Sequence, residues 1–169
     1  MVITDSFDHV IDEKGRLAIP VQIRNAMDPQ IDGDAFYVRP NSNGRCLELI
    51  PEKTFDRFAG AALSGLVVDP EVARLKRFVF AMASRLEPDK QGRVILPERF
   101  MRNSKNPDPL NGGILGREVT LVGVLDRVEI WNREDYLGHM REVRADANAL
   151  TAAAAKLFGS VPIAPPATN

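Results

Sequence analysis

Apolar and polar residues alternate in short runs along this chain, each run bounded by Gly, Pro, Asp or Asn. Residues 7–11, 17–19, 35–38 and 46–50 read as half-buried strands on this pattern. The pattern then repeats. Residues 12–20, Asp-Glu-Lys-Gly-Arg-Leu-Ala-Ile-Pro, return as 89–97, Asp-Lys-Gln-Gly-Arg-Val-Ile-Leu-Pro, an offset of 77 (89 against 12). Residues 119–122 resemble 35–38, and Arg-Val-Glu-Ile-Trp at 127–131 resembles Cys-Leu-Glu-Leu-Ile at 46–50. The chain is a tandem duplication, and self-similarity of this kind decides the architecture before any single motif does.

Each repeat has the same local plan. Asp followed three residues later by Gly marks a type I turn that closes onto a left-handed residue, the geometry of a bulged hairpin. Asp12, Gly15, Asp89 and Gly92 are therefore turn-forming residues. Pro20 and Pro97 suit the first position of a short helix, through 21–27 and 98–102. Two further strands follow, joined by residues 40–44 in the first repeat and 123–126 in the second. Helical spacing places Phe55, Phe58, Ala59 and Ala62 on one face, and Val72, Leu75, Val79 and Met82 on another. Asn132 and the acids after it start a helix bearing Tyr136, Leu137, Met140 and Val143, and an Ala-rich helix over 148–158 follows. Residues 103–113 read as an enlarged, tolerated surface loop, and 159–169 as a disordered Pro-rich tail. The expected class is α+β, mainly β with helices.

Composition narrows the function. The chain has 169 residues, 44% hydrophobic and 27% charged, which fits a globular protein. No apolar run is long enough to span a bilayer. The first eight residues carry acids where a secretory leader needs a basic region, so the expected location is cytoplasmic. One cysteine and two histidines exclude an internal disulfide and leave little for a zinc site, and no cofactor is expected. Net charge is −1, so any nucleic-acid contact must rest on a local, oriented positive patch.

Arg16 and Arg93 follow the turns at equivalent positions. Strand alternation sets Arg16 opposite Leu17, and Arg93 opposite Val94, so both arginines project outward. Two roles stay open on the residues alone. One is a surface ion pair with the neighbouring Asp, which contributes at most about 1 kcal/mol. The other is contact with a ligand or phosphate. Elsewhere the plainer structural roles are expected: packing for His9, burial for Cys46, and a solvated face for Arg24, Arg99 and Arg102. Phe55, Phe58, Phe78 and Phe80 serve the core, an oligomer interface, or both.

The paired motifs, His9-x-x-Asp12-x-Lys14-Gly15-Arg16-Leu17-x-Ile19-Pro20 and Asp89-x-Gln91-Gly92-Arg93-Val94-x-Leu96-Pro97, closely resemble the MraZ family of bacterial transcriptional regulators. The likeness extends over about residues 6–144. It implies two tandem SpoVT-AbrB-type domains, with AbrB-like swapped-hairpin units forming an intramolecular pseudo-dimer. The corresponding division is a first domain over 6–54, a helical linker over 55–83, a second domain over 84–138, and a C-terminal helix and tail over 139–169. The resemblance also implies a toroidal homo-oligomer that binds direct repeats in double-stranded DNA. These repeats lie upstream of the division and cell-wall gene cluster, which includes the regulator's own gene, and the family associates with the nucleoid. Carried residue by residue, the family's DNA-contacting arginine falls on Arg16, with Lys14 beside it, and on Arg93, with Lys90 and Gln91 beside it. Gln91 stands where the first repeat has Lys14, which makes the two tips unequal.

Other classes predict different behaviour. A ring-forming interaction protein of the same fold would bind no DNA, and a general AbrB-like regulator or antitoxin would usually carry a single motif. A duplicated Asp loop also occurs in aspartic proteases, but those need a hydroxyl residue after the Asp and then Gly. Glu13-Lys14 and Lys90-Gln91 intervene here, so an enzyme is not expected.

Overall fold

The computed structural model describes residues 2–64, 70–102 and 113–159. The proposed loop at 103–113, apart from Gly113, and the tail beyond Gly159 lie outside the described residues. Two compact units are present, Met1–Arg133 and Glu134–Asn169.

The first unit contains both repeats. Repeat one supplies β1 (Ser6–Val10), β2 (Arg16–Ala18), β3 (Phe36–Pro40) and β4 (Leu47–Pro51). Repeat two supplies β5 (Ser84–Leu86), β6 (Arg93–Ile95), β7 (Glu118–Gly123) and β8 (Val128–Asn132). Six strands form one antiparallel sheet in the order β1-β7-β8-β4-β3-β5. This order reads the same when the repeats are exchanged. Each repeat gives its first strand to the other: β1 pairs with β7 in the register Ser6↔Val122, and β5 pairs with β3 in the register Phe36↔Leu86. The remaining strands, β2 and β6, form a separate antiparallel ribbon with Leu17 opposite Val94.

Alternation explains the layers. Phe36, Val38, Leu47, Leu49, Val128 and Ile130 point into one core, where they meet Leu17 and Val94 from the ribbon. At the centre of the sheet Glu48 faces Glu129 across β4 and β8. Like charges directly opposite are unfavourable. Here each carboxylate has a partner: Glu48 pairs with Arg39 at 2.6 Å and Arg127 at 3.5 Å, and Glu129 accepts from Trp131 Nε1 at 2.8 Å. Cys46 is fully buried in the strand region, and burial pushes its thiol far above the usual range, so it stays protonated.

Helices α1 (Val21–Asn25) and α2 (Pro29–Asp32) follow β2. The helix expected over 21–27 is therefore shorter, and Asp28 starts a new turn by accepting from Gln30 N at 2.8 Å. Its counterpart after Pro97 is not an α-helix but a single 3-10 turn, Glu98–Phe100, after which Met101 is extended and bridges to Leu115. Helix α3 (Glu52–Ser64) lays Phe55 on Tyr37, ring centroids 4.1 Å apart, and α4 (Pro70–Ala81) brings Phe80 edge-on to Phe55. Phe78 leaves this cluster and packs against the main core. Arg99 is not on a solvated face: its Nη2 donates to the Met82 carbonyl and Ser84 Oγ, at 3.0 and 2.7 Å.

The second unit contains the body of α5 (Arg133–Ala145) and α6 (Ala147–Phe158), the latter capped by Asp146, which accepts from Ala149 N. No helix among the described residues is long and apolar enough to cross a membrane.

Candidate functional site

The two motif turns are built by the same hydrogen bonds. In the first, Gly15 N donates to the Asp12 carbonyl at 3.0 Å and Asp12 N to the Arg16 carbonyl at 3.1 Å. The Asp12 carboxylate accepts from the amides of Lys14 and Arg16, both at 2.9 Å. In the second, Gly92 N donates to the Asp89 carbonyl and Asp89 N to the Arg93 carbonyl, both at 2.8 Å. The Asp89 carboxylate accepts from Gln91 and Arg93 amides at 2.9 and 3.0 Å. Gly15 and Gly92 have φ of +73° and +74°, a region that a Cβ disfavours. Short Asp side chains reach these amides without leaving the turn, which is the reason for their spacing.

The turns also brace each other. Ile19 N donates to the Gly92 carbonyl and Leu96 N to the Gly15 carbonyl, both at 2.9 Å. The ribbon buries Leu17 and Val94 on its inner face and turns Arg16, Ala18, Arg93 and Ile95 outward. In register, Arg16 lies opposite Ile95 and Arg93 opposite Ala18. The two arginines thus occupy diagonal corners of one outer face, and Ile95 is 63% exposed beside them.

Each arginine is held by its own turn. Arg16 Nε donates to Asp12 Oδ2 at 2.6 Å, whereas Arg93 uses both Nε and Nη2 on Asp89 Oδ2, at 2.8 and 2.6 Å. These contacts lower the carboxylates. Asp89 falls to about 2, chiefly through the Arg93 side chain, and Asp12 falls chiefly through the Arg16 amide and then its guanidinium. Both Asp groups therefore stay ionised at neutral pH; Asp12 holds Arg16 by Nε alone, whereas Asp89 takes Nη2 of Arg93 as well as Nε. Lys14, Lys90 and Gln91 are exposed at the turn corners. His9 is half-buried in β1 opposite Val119.

Two arginines absent from the motif reading also reach the turns. Arg117 Nη2 lies 3.7 Å from Glu13 at the first. Arg24, from α1, lies against Gly92 at the second: a β-carbon there would stand 2.6 Å from Arg24 Nε. Neither could be found from its place in the sequence, because each reaches a turn of the other repeat. Only the exchange of elements between repeats brings them there. Among the described residues, no cluster of His, Cys, Asp and Glu is suited to a metal ion.

The arrangement can present cations, on a rigid two-stranded face, to an anionic surface. Comparison with known proteins gives the family. The pattern of the family described as "MraZ protein, putative antitoxin-like" matches residues 79–159. A "Transcriptional regulator MraZ" of Thermomicrobium roseum is 34% identical over 152 residues, 90% of this chain and 96% of its own length. One of Pediococcus pentosaceus is 36% identical over 75% of this chain and 78% of its own, and one of Cutibacterium acnes is 33% identical over the same shares.

Proposed function

Given that the chain belongs to the MraZ family, we propose that it is a sequence-specific DNA-binding transcriptional regulator, with the β2–β6 ribbon and its two turns as the reading surface. One observation carries this: Arg16 and Arg93 share the outer face of one ribbon, each fixed through Nε by the Asp of its own turn. A two-stranded ribbon fits the major groove of B-DNA, and an arginine fork can bond guanine O6 and N7 together. Lys14, Lys90 and Gln91 at the corners meet phosphates, which set register more than sequence. Arg16 and Arg93 on the ribbon, with Lys14 and Lys90 at its corners, are the local cations that a chain of net charge −1 needs for this role.

One ribbon binds weakly. The proposed target is a set of direct repeats upstream of the division and cell-wall gene cluster, including the regulator's own gene. A toroidal homo-oligomer engaging several repeats multiplies weak contacts through effective concentration. Such a regulator acts in the cytoplasm, on the nucleoid.

The test is binding of the purified protein to DNA from upstream of its own gene, against a scrambled duplex, at two salt concentrations. Wild type should bind the upstream DNA selectively and less tightly at higher salt. Arg16→Ala/Arg93→Ala should remain folded and lose selectivity, at about 1–3 kcal/mol for each base-reading arginine. A folded oligomer with no selective binding would instead support an interaction ring, with both arginines confined to their ion pairs.

A further inference from the structure

Of the two arginines outside the motif that reach the turns, Arg24 is the one seated on a turn's backbone rather than facing a carboxylate. It is exposed on α1, and its Nε donates to the Ile19 carbonyl at 3.2 Å, while Ile19 N donates to the Gly92 carbonyl at 2.9 Å. One residue of repeat one therefore clamps both the arginine and the second turn. Gly92 makes room for this contact: a β-carbon there would lie 2.8 Å from both Cδ and Cζ of Arg24. The guanidinium rests on the backbone of the second turn.

The first turn has no such guest. The residue equivalent to Arg24 is Met101, at the offset of 77 that relates Asp12 to Asp89. The arginine that does arrive there, Arg117, faces the carboxylate of Glu13. At the second turn Lys90 replaces that glutamate. The hydrogen bond to Ile19 is the one polar contact of the Arg24 side chain among the described residues.

We propose that Arg24 is a DNA phosphate-binding residue of the second turn, delivered by the first repeat, and that it supplies the cation Gln91 lacks. This rests on the DNA-binding function proposed above. Taken in sequence, the second tip is weakened by Gln91. Taken in the fold, Arg24, Lys90 and Arg93 stand there against one carboxylate, Asp89. At the first tip Lys14, Arg16 and Arg117 stand against two, Asp12 and Glu13. The second tip becomes the more positive. Arg24 lies on a helix beside the ribbon rather than on its reading face, so its contact positions the duplex and does not select bases.

The experiment compares full-length wild type, Arg24→Gln and Arg24→Lys on upstream and scrambled DNA through a salt titration, with melting temperatures measured alongside. Each phosphate contact adds about 0.9 to the slope of log affinity against log salt. Arg24→Gln should lose about 0.9 of slope for each ribbon engaged, weaken both duplexes alike by about tenfold per engaged ribbon near 0.1 M salt, and melt as wild type. Arg24→Lys should keep the slope. Selective wild-type binding with an unchanged affinity and slope in Arg24→Gln would overturn the proposal while leaving the regulator function intact. A lower melting temperature with an unchanged slope would also overturn it, by making Arg24 a brace for the turn. If wild type binds neither duplex, the regulator function fails and this proposal falls with it.

Discussion

The two motif turns share their backbone geometry and differ in their surroundings. Both have an Asp carboxylate gathering two amides, a glycine at positive φ and an arginine held by Nε. The first keeps Lys14 but is shadowed by Glu13, which faces Arg117. The second loses the lysine to Gln91 but gains Lys90 and the guest Arg24. Duplication has conserved the frame that makes a turn, while the residues reaching in from the opposite repeat have diverged. The charge of a tip is a property of the fold and not of its own five residues.

The largest effect expected on this comparison comes from below the turns. Leu17 and Val94 are equivalent, fully buried and opposite each other in the ribbon. Leu17→Ala should destabilise the protein by about 2–5 kcal/mol, with Val94→Ala costing less because fewer carbon atoms are removed. Because the two side chains share one site, the double variant should be non-additive in chemical denaturation. Additive losses, or separate transitions for the two repeats, would show that the turns stand on independent foundations.

A smaller effect distinguishes the turns themselves. Gly15→Val and Gly92→Val should each cost about 1–2 kcal/mol, because a β-branched residue resists the left-handed backbone. Only Gly92→Val should also dislodge Arg24 and reduce the salt dependence of DNA binding. Wild-type melting in either variant would contradict the observed φ.

The smallest effect is in acid. Folding lowers the carboxyl of Asp89 below its ordinary 3.8, so its contribution to stability is fully present above that value. The contribution is lost as pH falls towards about 2, and Asp12 follows the same direction. Carboxyl NMR should place Asp89 near about 2, and Arg93→Ala should return it towards 3.8. A midpoint near 3.8 in wild type would mean that the Arg93 contact does not form in solution.

The class of the fold was legible because its signals are local. Strand alternation, the Asp-x-x-Gly-Arg spacing and the aromatic face of α3 each act within a few residues. Pairing was not legible from these signals, since alternation assigns a face to a strand but not a neighbour. The helix expected after Pro97 failed because Met101 is taken by a bridge to Leu115, a contact far along the chain. The short α2 did carry a signal, Asp28 before Pro29, that the helical pattern over 21–27 overrode. At the candidate site, the turn residues and outward arginines followed from spacing and alternation. Arg24 is exposed, as expected, but nothing near it in sequence points to its seat on Gly92. Arg99, also expected on a solvated face, instead reaches back to Met82 and Ser84.

The exchange of first strands has a consequence during protein synthesis. β1 is made well before its partner β7, with Ser6 waiting for Val122. Until then the β3–β4 hairpin can close locally, but β1 has an unsatisfied edge and Leu17 has no Val94 to cover it. Long-range pairing of this kind is slow, and unpaired strands invite association with other chains. The first repeat therefore leaves the ribosome as a half-built sheet, and the surface that carries Arg16 comes into being only after the second repeat has been translated.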